Sequence, residues 1–167
     1  MKTSVIQQTL GALITGIDHI AIAVSDLEKS INWYQNALGF QLSGRRTTRG
    51  EKTSMNSAVL TCGSAVVVLV QGCEPDSQVS RFIEQMGPGA CHVAFAVSNL
   101  DEAIRRIEAT GGATDTPKVE DTGIRQVFLR RDPESGVRIE LIERSGGGFS
   151  DKSVEQLFRA FEAKDLF

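Results

Sequence analysis

Apolar and polar residues alternate from Ile17 to Val24, which predicts a strand with His19, Ala21 and Ala23 on one face. Ser25-Asp-Leu-Glu28 then reads as a capping box. Leu27, Ile31, Tyr34 and Leu38 follow at helical spacing, and Gly39 closes that helix. Strands are expected over 40–47, 56–60 and 65–71, with a turn at Gly63. A short helical pattern over 78–86 ends at Gly87-Pro88-Gly89. The order then begins again. A strand is predicted over 91–97, and Asn99 opens a helix with the stripe Leu100, Ile104 and Ile107. Gly111-Gly112 ends that helix, and strands are expected over 113–119, 124–130 and 137–143. Past Gly146-Gly147-Gly148, residues 151–164 carry Val154, Leu157, Phe158 and Phe161 on one helical face.

The recurrence is literal. HIAIAVSDLEKSI at 19–31 and HVAFAVSNLDEAI at 92–104 share seven of thirteen residues at an offset of 73. The predicted fold class is therefore α+β, with two βαβββ repeats forming one cup-shaped domain and a helix after it, since one such unit cannot cover its own sheet face. The expected organisation is an N-terminal extension at 1–16, disordered or a short helix, then repeats at 17–75 and 90–145 within a domain at 17–145. A Gly-rich hinge and closing helix occupy 146–167.

The chain has two histidines, and His19 and His92 stand at the same place in both copies. Glu140 lies in VRIELIE, where burial beside Ile139 and Leu141 is costly unless the carboxylate is paired or bound to metal. Two imidazoles and one carboxylate suit a divalent metal that keeps open positions. A formal charge of −3 argues against a nucleic-acid footprint. The absence of a long apolar run argues against a membrane span, and residues 1–16 make a poor signal peptide. Cys62, Cys73 and Cys91 are expected to be three buried thiols without a disulfide framework, which fits a reducing, cytoplasmic setting.

DHIAIAVSDLEKSINWYQNALGF and CHVAFAVSNLDEAIRRIEATGGA resemble the vicinal oxygen chelate superfamily, which includes glyoxalase I, methylmalonyl-CoA epimerase, bleomycin resistance proteins and extradiol dioxygenases. MNSAVLTCGSAVVVLVQGCEP, RIELIERSGGGF and SVEQLFRAFEAKD further resemble the catalytic half of 4-hydroxyphenylpyruvate dioxygenase and hydroxymandelate synthase. The resemblance implies metal ligands at His19, His92 and Glu140, with Fe(II) as the cofactor and another divalent metal as the alternative. It implies substrate contacts at Ser57, Gln71, Gln126, Phe128 and Phe149. The epimerase and glyoxalase branches place a fourth ligand on the last strand of the first repeat, at a position that aligns with Val67 here.

The resemblance thus implies an Fe(II) dioxygenase using O2 and a small 2-oxo acid, with residues 151–164 as a lid. A metal-dependent isomerase, epimerase or lyase of the same fold is the first alternative. A non-enzymatic protein that sequesters a small molecule such as an antibiotic is the second. Homodimers are frequent in this superfamily, so the resemblance admits one for this chain.

Overall fold

A computed structural model describes residues 10–166. They contain eight strands: β1 (Ile14–Ala23), β2 (Gln41–Arg49), β3 (Ser54–Cys62), β4 (Ala65–Gly72), β5 (Gly89–Val97), β6 (Val119–Asp121), β7 (Ile124–Phe128) and β8 (Arg138–Arg144). The helices are α1 (Leu27–Leu38), α2 (Gln78–Met86), α3 (Leu100–Ala109) and α4 (Asp151–Ala163). The two βαβββ repeats and the final helix are therefore present. The contacts divide the described chain into two compact units, one of residues 19–92 with 151–166 and the other of residues 10–18 with 93–150.

In the first unit the strands run in the order β2-β3-β4-β1. β4 lies parallel to β1, with Ala21 opposite Val68 and Ala23 opposite Val70, and antiparallel to β3, with Ser57 opposite Val70. Paired residues share a sheet face, so alternation assigns every side chain in these strands to one of two sides. One side carries Ile22, Ala58, Leu60, Val67 and Leu69, which pack with Leu27 and Ile31 of α1. The other carries Ala23, Val68 and Val70, packed with Phe82 and Ile83 of α2.

The second unit repeats the plan in the order β5-β8-β7-β6. Val127, Ile139 and Leu141 pack with Leu100 and Ala103 of α3 on one side. Ile124, Ile142 and Ala94 gather on the other, with Phe149 against them.

The last strand of each repeat holds the start of that repeat's helix. Gln71 Oε1 accepts from the Leu27 amide at 2.9 Å, and Glu143 Oε2 accepts from the Leu100 amide at 2.6 Å. These are among the amide donors that a helix leaves without an internal partner.

Several sequence expectations shift. Asp26, not Ser25, is the N-cap of α1 and accepts from the Lys29 amide at 3.0 Å, while Glu28 turns to Arg45. Asn99 occupies the equivalent cap of α3. The strand expected over 113–119 shrinks to one bridge, Thr114 to Leu129, followed by the short β6. Pro117 has no amide to give a ladder, and the Thr116 hydroxyl accepts from the Phe128 amide at 3.0 Å instead. β1 starts at Ile14, three residues before the predicted boundary, after a 3₁₀ turn at Leu10–Ala12. Leu10 and Leu13 pack on the α3 cluster. The rest of the expected extension lies outside the described residues.

α4 belongs to the first unit, with Leu157 and Phe158 buried. Glu162 fastens it by accepting from the Thr53 amide at 2.9 Å, the Thr53 hydroxyl at 2.6 Å and the Glu51 amide at 2.7 Å. Arg46 reaches Asp151 at the other end of the helix at 2.6 Å. The glycines before α4 answer to close packing. A Cβ on Gly147 would overlap the Thr122 carbonyl oxygen and come within 2.8 Å of the Gly123 Cα, and Gly146 has a left-handed φ of 101°.

Two stability predictions follow from these anchors. Burial pushes the Glu162 carboxyl up, but the Thr53 hydroxyl and the amides of Glu51, Thr53 and Lys52 outweigh it and hold it below 4.5. A depressed carboxyl contributes stability that is complete above its unfolded value and is lost as pH falls through the folded one. Proteolytic release of α4 is expected to rise below pH about 4.5 in the native chain, and Glu162→Gln should flatten that dependence. Gly147→Ala is expected to cost about 3 kcal/mol in urea denaturation, because backbone rather than a flexible side chain blocks the new methyl group.

Candidate metal centre and the faces that flank it

His19 sits on β1 with its ring on the Ala21 and Ala23 side, and only 4% of it is exposed. His92 sits on β5. Their Nε2 atoms are 3.2 Å apart, and the rings meet edge to face at 81°. Metal–nitrogen bonds of ~2.1 Å separate two ligand nitrogens by about 3.0 Å at a right angle and about 3.4 Å at a tetrahedral one. The observed separation falls inside that range, so the imidazole pair fits one shared cation. Hard chemistry agrees with the geometry, since neutral imidazole serves Zn, Fe, Ni and Cu alike.

Glu140 lies on β8 of the second unit, 2% exposed, between Ile139 and Leu141. His19 and His92 thus offer two ligand nitrogens within one unit, and Glu140 offers a carboxylate oxygen within the other.

The face that carries Glu140 also carries three other residues singled out in the sequence. β7 pairs with β8 so that Phe128 lies opposite Glu140 and Gln126 opposite Ile142. Phe149 packs on Ile124, Ile142 and Ala94 of the same side. Gln126 is fully buried, and neither its amide oxygen nor its nitrogen meets a hydrogen-bonding partner among the described residues. A buried amide of this kind carries a desolvation cost of about 1–3 kcal/mol unless something pairs with it.

Ser57 shares the Val68 and Val70 face of the first unit and is buried, with only a long 3.5 Å contact to the Arg46 carbonyl. Thr48 was missed by sequence reasoning. It is 1% exposed on β2, opposite Met55 on that same side, and its hydroxyl has no partner among the described residues. A threonine among polar neighbours in RRTTR gives no signal of burial.

Two expectations are corrected. Gln71 lies on the helix side of β4, and its amide is used at both ends, by the Leu27 amide and by the Ser25 carbonyl at 3.2 Å. It therefore faces α1 and not the His19 side, so a substrate-contacting role does not suit it. The thiols are not all buried either. Cys62 and Cys73 are exposed and Cys91 is half-buried, donating to the Ala21 carbonyl at 3.4 Å. Cys62 ends β3 at the Gly63 turn and Cys73 follows the end of β4, so neither is covered by the sheet.

The helix-start bonds also correct the repeat alignment. Gln71 and Glu143 do the same work, so the residue three before each is equivalent. Glu140 therefore corresponds to Val68, not Val67, which packs under α1. Val68 is on the His19 side, opposite Ala21. It offers no ligand atom.

Residues 16–141 match the family described as the Glyoxalase/Bleomycin resistance protein/Dioxygenase superfamily. The chain belongs to that superfamily. It is 34% identical over 133 residues to YwkD of Bacillus subtilis, a match covering 79% of this chain and 99% of that protein. Among solved structures, the methylmalonyl-CoA epimerase of Mycobacterium tuberculosis is 31% identical, with a TM-score of 0.67, over 80% of this chain and 90% of its own. A mutant 4-hydroxymandelate synthase from Streptomyces coelicolor gives a TM-score of 0.80 at 19% identity, which speaks to fold alone. That match covers 89% of this chain, and this chain spans about half of the synthase, 54%. No helix among the described residues is long and apolar enough to cross a membrane.

His19→Ala is expected to abolish tight uptake of Co(II) or Fe(II) by the purified chain, read by calorimetry and by the visible Co(II) spectrum. Gln71→Ala should leave metal uptake intact and lower stability by about 1 kcal/mol through loss of its bond to the start of α1.

Proposed function

We propose that this chain is an Fe(II)-dependent dioxygenase of a 2-oxo acid. His19, His92 and Glu140 would be the ligands. The overall conversion is 2-oxo acid plus O2 to CO2 plus a hydroxylated acid one carbon shorter. One oxygen atom enters the new carboxylate and the other becomes the hydroxyl, so the substrate itself supplies the electrons.

The observation that carries this reading is Val68. With an apolar side chain at the first-repeat counterpart of Glu140, the chain would offer a bound metal three ligands, which would leave room at the same ion for a 2-oxo acid and O2. Iron, when bound, would bring both reactants to one centre and allow electrons to pass between them.

The remaining work belongs to the polypeptide. Phe128 and Phe149 would flank a bulky or aromatic substrate side chain and exclude water from it. Gln126 would satisfy its buried amide on a polar group of the substrate, which favours substrates that can both donate and accept there. Ser57 would orient the substrate from the His19 side. α4 would serve as a cover whose position is fixed by Glu162 and Arg46.

A second reading is an epimerase or lyase with a redox-inert divalent metal. It is favoured by the 31% identity to methylmalonyl-CoA epimerase over most of both chains. In that chemistry a bound divalent metal would supply a positive charge that favours removal of a proton beside a carbonyl, and no O2 is consumed.

One set of measurements separates the two. The full chain is loaded anaerobically with Fe(II) and mixed with aromatic and aliphatic 2-oxo acids, then exposed to O2. A weak visible charge-transfer band, followed by O2 uptake matched mole for mole by CO2 release, is the expected result. No uptake with any acid, together with solvent deuterium entering methylmalonyl-CoA at its α-carbon when Co(II) is bound, would replace the oxygenase reading with the epimerase one.

A further inference from the structure

Arg144 closes β8, on the same face as Glu140 and Ile142, opposite Ile124. Its guanidinium has three neighbours at once. Nε and one terminal nitrogen donate to the two carboxylate oxygens of Asp18 at 2.5 and 2.8 Å. The other terminal nitrogen donates to the Gly147 carbonyl at 3.3 Å. The guanidinium carbon lies 4.8 Å from the centre of the Phe149 ring. All four residues belong to one compact unit.

Two of the three contacts use a property that lysine lacks. A planar fork matches a carboxylate with two parallel bonds, and its flat face stacks on an aromatic ring. The Asp18 pair leaves one edge for the glycine carbonyl and the face for Phe149. Asp18 is also the residue before His19, so one side chain ties the strand that carries a metal-ligand candidate to the segment that carries Phe149.

The segment needs such a tie. Residues 145–150 have little side-chain bulk of their own before α4, with three consecutive glycines ahead of Phe149. Their other anchors include backbone packing of Gly147 on Gly123, a bond from the Ser145 amide to the Gly123 carbonyl at 2.9 Å, and a contact between Ser150 and Asp121. These three hold backbone and Ser150. Ala94, Ile124 and Ile142 form the floor beneath the Phe149 ring, and the Arg144 guanidinium lies over it.

We infer that Arg144 is a positioning residue: braced by Asp18, it holds the Gly147 carbonyl and the Phe149 ring so that the ring presents a fixed wall to the substrate on the Glu140 face. The role of Phe149 as a wall rests on the oxygenase reading above, whereas the clamp itself does not. Arg144 would thus govern substrate capture without touching substrate or metal.

The test uses the full chain and the variants Arg144→Gln, Arg144→Lys and Asp18→Asn. The first measurement is amide hydrogen exchange of the peptide covering 145–150 without metal or substrate. Arg144→Gln and Asp18→Asn are expected to speed exchange there on the order of tenfold, with Arg144→Lys between them and the native chain. Unchanged exchange in Arg144→Gln overturns the clamp.

The second measurement is Fe(II) bound per chain, which should be unaltered in all three. Loss of iron in Arg144→Gln would instead mean that Arg144 acts through the β1 strand and His19, and it also overturns the proposal. The third is O2 uptake with phenylpyruvate as the probe. Arg144→Gln should raise KM on the order of tenfold with kcat changed far less, and Arg144→Lys should recover part of it. Equal losses in kcat and kcat/KM would contradict a positioning role. If the native chain does not consume O2 with any 2-oxo acid, the oxygenase reading fails, while the exchange experiment still decides the clamp.

Discussion

Two hydrogen bonds mark the register on which everything else depends. Gln71 and Glu143, at equivalent places on β4 and β8, each accept from the first amide of their own repeat's helix. Because side chains alternate along a strand, sliding either strand by one residue would turn its helix-facing set outward and bury the wrong one. The bond adds to the backbone ladders and the buried helix-facing side chains in disfavouring that slip. With it in place, Leu69 and Leu141 go under the helices and Val68 and Glu140 go to the opposite side. The two repeats then differ by one residue, valine against glutamate, at a position whose direction is already determined.

That asymmetry separates structure from chemistry in this duplicated chain. The helix sides of the two repeats are alike and apolar. The other sides differ in kind. The first has Ala23, Val70 and small hydroxyls at Ser57 and Thr48. The second has Glu140, Gln126 and aromatic rings at Phe128 and Phe149. Buried groups such as Gln126 and Thr48 reduce folding stability unless something pairs with them, and both lie on the non-helix side of their sheets.

The C-terminal segment illustrates a second constraint. Three glycines in a row read naturally as a flexible hinge. In the structure Gly147 lets backbone approach backbone, against Thr122 and Gly123, while an added Cβ on Gly146 or Gly148 would meet nothing within 4 Å. The helix beyond is held at both ends by charged groups. The joint is thus closely packed at its middle glycine, because a missing Cβ permits close contact as readily as it permits motion.

Much was legible from the sequence by itself. Periodicities of two and 3.6 located the strands and helices. The offset of 73 revealed the duplication and paired His19 with His92, and a carboxylate inside an apolar strand marked Glu140. These are local or self-referential signals, which a linear pattern can hold. Tertiary structure alone decided the rest. It showed that Gln71 serves α1, that Val68 and not Val67 answers Glu140, that Cys62 and Cys73 reach the surface, and that Arg144 joins Asp18 to Phe149. Each of these turns on which face a side chain occupies or on partners distant in sequence, and a one-residue error in register is invisible to hydropathy wherever both faces of a strand are apolar.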